Sequence, residues 1–277
     1  MGAKQRLVVL AFLVIACAAI GWAAQNVDAN TVLVAATVTA DKNAFAHGLK
    51  EENFQLTEEN SAQKLTFFSP DNSPASISII VGAGATTGRT DRVTDSIKSA
   101  VETFQKTGHP NSQYFIDGFG KDGLNGAVMR GLDRLKMGAH PRKVLLVILD
   151  SLDDPGGNPD QPSMDGPLKQ EVPISFIFLS GTNSSTGRFS QNWLTVMEDV
   201  SKTSGGKMLF AEPLQELQAE CIKLAEELKN QYLLGYHSSN TAQDGKWRKL
   251  AVKVTPPAGQ KLNIRTKARY FVAKSGK

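Results

Sequence analysis

The chain has 277 residues, of which 41% are apolar, and a formal charge of +4. That length and apolar content suit one full-sized domain plus a smaller one. The charge is mild and scattered, with no basic stripe interleaved with aromatics, so a nucleic-acid partner is not expected.

Residues 1–23 read as a signal peptide. Lys4 and Arg6 form a positive start, Leu7 to Ile20 an apolar run, and Gly21-Trp22-Ala23 a small-residue cleavage site. The run is short for a membrane span, which leaves a retained anchor helix as the alternative. Val14-Ile15-Ala16-Cys17 resembles a lipobox, so a lipoprotein anchored through Cys17 is a third reading. Each reading places the protein in the periplasm, in the cell envelope or outside the cell. Loss of Cys17 would leave Cys221 as the mature chain's single thiol, with no internal disulfide. Cys221 lies on an apolar helical face and reads as core.

Residues 24–73 read as a β module. Thr31 to Thr39 is a β-branched strand, and Asp41 to Asn43 a turn. Glu51 to Leu56 is a helical turn running into a strand, and Lys64 to Phe68 another strand. Ser69 to Pro74 is a linker by composition. Ser76 to Val81 then reads as a buried strand, followed by the glycine-rich bend Gly82 to Gly88. Val93, Ile97, Val101 and Phe104 mark a first amphipathic helix. Gln113 to Asp117 is the next strand, and Leu124, Val128, Leu132 and Leu135 mark a second helix. Lys143 to Leu149 is the clearest buried strand, ending at Asp150. A Gly/Pro/Asp-rich loop runs to about Gly166, and Val172 to Leu179 is again a strand. Phe189 to Thr203 is helical, capped by Ser204-Gly-Gly206. Lys207 to Phe210 is a short strand. Pro213 opens a last helix with Leu214, Leu217, Cys221, Leu224 and Leu228 on one stripe.

Strands alternating with helices over residues 74–230 predict an α/β domain with a doubly wound, mostly parallel sheet. Its ligand crevice should lie beyond the carboxyl ends of the strands. Residues 231–277 read as three more strands, 232–236, 247–254 and 262–272. They are expected to complete the N-terminal module as a small β-sandwich built from both ends of the chain.

At this point the chain resembles the von Willebrand factor A-related proteins found mainly in Acidobacteria. The resemblance rests on Leu49 to Phe54, Gln63 to Phe68, Pro74 to Val81, Lys143 to Asp150, Ser204-Gly-Gly206, Glu227 to Tyr236 and Arg269-Tyr-Phe271, in that order and spacing. It implies an A domain, which normally carries a metal-ion-dependent adhesion site. The motif is Asp-x-Ser-x-Ser after the first strand, plus a Thr and an Asp from later loops. Hard cations favour such oxygen ligands. Here the acidic position falls on Gly82 and the first hydroxyl on Gly84, and Thr86 keeps an oxygen. Asp122 stands where the family has Thr, and Asp150 holds the remaining acidic position. The resemblance therefore implies a degenerate metal site.

The resulting expectation is an exported, non-enzymatic protein that recognises another protein. Its binding surface would include Gly82, Gly84, Thr86, Thr87, Asp122, Asp150 and Asp153. No cofactor and no small-molecule substrate are expected. One alternative is Mg²⁺- or Mn²⁺-dependent adhesion through the residual set Thr86, Asp122 and Asp150. Another is a nucleotide-binding enzyme using Gly82 to Gly88, with Asp117 toward a ribose hydroxyl. His47, His109, His140 and His237 stand beside turn residues without metal-ligand spacing, and no Ser occupies a nucleophile elbow.

Overall fold

The computed structural model describes residues 27–28, 30–82, 90–119, 122–149, 163–179, 191–211, 214–256 and 261–274. The central element is a five-stranded sheet. Its strands are β5 (Ser76–Gly82), β6 (Gln113–Gly118), β7 (Lys143–Leu149), β8 (Ile174–Leu179) and β9 (Met208–Ala211). They run parallel in the order β6-β5-β7-β8-β9. Side chains alternate across a strand, so one apolar run can feed two cores. Val144, Leu146 and Ile148 of β7 face helices α1 (Thr90–Thr107) and α5 (Glu216–Lys229). Leu145, Val147 and Leu149 face α2 (Gly123–Lys136) and α4 (Gln191–Ser204). The doubly wound parallel sheet is thus observed.

The antiparallel strands come from both ends of the chain. β1 (Thr31–Thr39), β4 (Leu65–Ser69), β10 (Tyr232–His237) and β12 (Asn263–Thr266) form one sheet, ordered β12-β1-β10-β4. β2 (Phe54–Glu58), β3 (Ser61–Gln63), β11 (Trp247–Val254) and β13 (Arg269–Phe271) form a second, ordered β13-β11-β2-β3. Val34, Ala36 and Leu234 from the first sheet share a core with Leu56, Val252 and Tyr270 from the second. That pairing of N- and C-terminal strands is the expected β-sandwich.

Three local details depart from the expectation. The single strand read over 262–272 is two strands in different sheets. Lys267 turns inward between them, 3% exposed, and the chain crosses the corner of the sandwich there. Within the stretch read as a loop to about Gly166, residues Asp165–Leu168 form the single helical turn α3, and Leu168 drops into the α2/α4 core. Leu214 precedes α5 rather than lying in it, though it packs on the same core. Cys221 is buried in that core, and burial pushes its thiol up to about 12.

The cap after α4 is tightly constrained. Gly205 has φ +87, a left-handed conformation that suits glycine at a helix end. A Cβ on Gly206 would lie far inside van der Waals contact with the backbone carbonyl of Ile174. Backbone at the start of β8 cannot swing aside as a side chain can. Gly206→Ala is therefore expected to cost about 3 kcal/mol, read as a drop in the urea midpoint at unchanged m-value.

Candidate functional site: the carboxyl edge of the parallel sheet

The site is fixed by topology. β5 leads into α1 on one face of the sheet, while β7 leads into α3 on the other. Adjacent strands whose connections depart to opposite faces open a crevice at their carboxyl ends. Gly82 and Leu149 are paired neighbours at that point. Of the expected site residues, Gly82 and Asp122 are described. Gly84, Thr86, Thr87, Asp150 and Asp153 lie outside the described residues.

Gly82 ends β5 beneath an aromatic ring. A Cβ built on it would meet the Phe119 ring at 2.7 to 2.9 Å. Phe119 follows β6 directly, its backbone N–H donates to the Val81 carbonyl at 3.3 Å, and its ring packs on the α2/α4 core. The space in which a side chain at 82 would stand is thus occupied by a half-buried ring. Gly82 and Phe119 are sterically matched, and any larger residue at 82 requires the ring to move.

Asp122 precedes α2 but does not cap it with its side chain. Its carboxylate instead pairs with the Arg130 guanidinium two turns along the helix. The Arg130 hydrogen bond holds the Asp122 carboxyl below the usual carboxylate range. Arg130 also donates to the Gly118 carbonyl at 3.0 Å and approaches Asp117 at 3.6 Å. Arg134, one turn further, pairs with Asp117 at 3.2 Å. Asp117 in turn accepts the Gly118 N–H at 2.9 Å. Two carboxylates and two guanidinium groups thus form one exposed network around the end of β6. Asp122 and Asp117 are both engaged by arginine, which competes with the roles of cation ligand and ribose acceptor read from the sequence. Among the described residues no group of three His, Cys, Asp or Glu side chains could hold a metal ion.

Phe119, Arg130 and Arg134 are absent from the sequence reading. Arg130 and Arg134 carried a usable signal, since residues four apart on a helix share a face. Phe119 carried little, because a single aromatic between two glycines does not reveal which backbone it covers.

The four histidines stand on turns or at a strand end, as the sequence suggested. His47 Nδ1 lies 2.6 Å from Asp71, and His140 Nε2 lies 2.9 Å from the Asn111 carbonyl. His237 Nε2 contacts the Thr31 hydroxyl at 3.1 Å, and His109 Nδ1 accepts the Asn111 N–H at 3.2 Å. Among the described residues no helix is long and apolar enough to cross a membrane.

No protein-family model and no curated protein sequence matches the chain. A solved structure, a von Willebrand factor type A protein from Catenulispora acidiphila, is similar over 90% of this chain and 76% of its own, at 9% identity and a TM-score of 0.38. The α/β fold class rests on the strand order and register of the parallel sheet itself.

Proposed function

We propose that this chain is an exported, non-catalytic recognition protein related to von Willebrand factor A domains. In this reading it binds a protein partner through the carboxyl edge of its parallel sheet, where the adhesion-type metal site has degenerated. One observation supports the reading: the Phe119 ring fills the space above Gly82, the position that the sequence resemblance aligns with the family's first-loop acidic residue. Beside that ring stands the network of Arg130, Arg134, Asp117 and Asp122. Aromatic and arginine side chains are the residue types that dominate protein interfaces, and a rim of paired charges confers specificity rather than raw affinity. The fold does not dictate this use; the composition of the site supports it.

The test combines capture with calorimetry. A partner captured from envelope extract on immobilised protein should remain bound in EDTA. Capture should fall at least tenfold for Phe119→Ala, with the circular dichroism spectrum unchanged. Titration with Mg²⁺ or Mn²⁺ should give no saturable heat in the micromolar range. Micromolar cation binding abolished by Asp150→Ala would replace this reading with metal-dependent adhesion through Thr86, Asp122 and Asp150. A thermal shift with NAD, NADP or ATP would replace it with nucleotide binding in the Gly82 to Gly88 loop.

A further inference from the structure

A second concavity lies at the opposite end of the parallel sheet from the proposed recognition edge. There the outer face of the β1/β10 sheet meets the segments entering β7 and β8, and a cavity of about 330 Å³ remains between them. Small-molecule sites begin at about this size. Leu33 and Ala35 of β1 and Leu233 of β10 form one wall. The other wall carries Arg142, Lys143, Lys169 and Lys267, with Glu171 as its single carboxylate.

Charge on this wall is unbalanced. Glu171 is already taken by Lys267, at 3.2 Å. Lys143 Nζ donates only to the Gly138 carbonyl, at 2.6 Å. Lys169 Nζ sits over the Phe271 ring, 4.9 Å from its centroid. Arg142 is bonded only to backbone carbonyls, and its Nε has no partner. Burial lowers the proton affinity of Arg142, Lys143 and Lys267, the expected effect when cations leave water without enough counter-charge. Glu171 also holds φ +61, a left-handed conformation that costs a non-glycine residue free energy. Such strain collects at ligand sites more than elsewhere.

We propose that this cavity binds a small organic oxyanion, with its charged head against Lys143, Lys169 and Lys267 and its apolar body against Leu33, Ala35 and Leu233. A carboxylate and a phosphate monoester share the required head chemistry. The anion would supply the counter-charge that the wall lacks, and the aliphatic wall would exclude water from the pairing.

The test is calorimetric titration of the full chain at constant ionic strength with phenyl phosphate and with benzoate. Inorganic phosphate serves as a head without a body, and benzyl alcohol as a body without a head. At least one aryl anion should bind saturably, at least tenfold more tightly than either control, and the pair distinguishes a phosphate head from a carboxylate head. Lys169→Ala, at an exposed position, and Ala35→Phe, which fills the cavity, should each weaken binding at least tenfold. Lys64→Ala, elsewhere on the surface, should leave it unchanged. Absence of saturable binding by both aryl anions would overturn the proposal. So would binding that Ala35→Phe or Lys169→Ala leaves undiminished in a protein with the native circular dichroism spectrum.

Discussion

Arg142→Met is expected to lower the unfolding free energy by about 3–5 kcal/mol, because it removes one charged donor shared by several backbone carbonyls. Arg142 is 2% exposed. Nη1 donates to the carbonyls of Ser73 at 3.0 Å and Leu228 at 3.3 Å. Nη2 donates to those of Pro70 at 3.3 Å and Gln231 at 2.6 Å. Those carbonyls lie on the two stretches of chain that cross between the sandwich and the parallel sheet, one from β4 to β5 and the other from α5 to β10. Burial lowers the pKa of Arg142 to about 10, so the guanidinium stays charged at neutral pH. The Leu228 carbonyl belongs to the last turn of α5, where the helix dipole favours a cation. Methionine keeps the bulk of the stem but takes the guanidinium donor from the Ser73, Leu228 and Gln231 carbonyls, while the Pro70 carbonyl keeps the Ser73 hydroxyl at 2.9 Å. Buried unsatisfied acceptors cost about 1–3 kcal/mol each before relaxation. For a domain of typical stability, about 5–15 kcal/mol, this is a large share. Urea unfolding followed by far-UV circular dichroism and by tryptophan fluorescence measures it. The two curves should separate in the variant, because the pin common to both crossings is gone. A loss below about 1 kcal/mol with coincident curves would show that the crossings are held by something else.

Glu58→Gln is expected to have an effect of similar size, about 3–5 kcal/mol. Glu58 is 2% exposed and Arg248 is 4% exposed, inside the sandwich. Glu58 Oε1 accepts from the Ser238 hydroxyl at 2.7 Å and from Arg248 Nη1 at 3.2 Å. Oε2 accepts from the hydroxyls of Tyr236 at 2.7 Å and Tyr270 at 2.8 Å. An amide carries half the acceptor capacity of this carboxylate and no charge, so it strands Arg248 and opposes hydroxyl donors with its own N–H groups. The same site predicts a pH dependence. Burial alone would raise the Glu58 pKa, but the hydrogen bonds from Tyr236, Ser238, Tyr270 and Arg248 outweigh it and hold the group below the ordinary 4.5. A depressed carboxyl pKa contributes stability that is fully present above 4.5. That contribution disappears as pH falls below 4.5 through the folded-state value. The stability gap between wild type and Glu58→Gln should thus be widest near neutrality and narrow below pH 4.5. A gap that does not change down to pH 3 would mean that Glu58 is not the charged acceptor its partners indicate.

The sequence made the sheet legible because local periodicity encodes it. Six consecutive apolar residues from Val144 to Leu149, short and bounded by turn residues, fit a strand buried on both faces, and the spacing of Leu124, Val128, Leu132 and Leu135 fits one side of a helix. The joining of both chain ends into a sandwich followed from strand-like patterning left over at each terminus. What local patterning does not mark is non-local. Glu58 meets partners 178 to 212 residues away, and Arg142 reaches 69 to 89 residues in both directions. No period in the chain marks such pairs. The break at Lys267 was hidden for a related reason, since alternation continues across it while the strand changes sheets. At the carboxyl edge the glycine at 82 was visible in the sequence, but the ring that covers it was not.

The interleaving of the two termini also dictates an order of events during synthesis. Among the described residues β1 pairs with β10 and β12, and apart from the local bridge of Thr39 to Phe45 its residues 31 to 37 have no strand partner until residue 232 has left the ribosome. Such distant contacts form slowly, and unpaired strand edges invite association between chains meanwhile. The α/β layer, whose strands join neighbours closer in sequence, is free to condense first. The sandwich would then close last, as a seal set by the strands from Tyr232 onward.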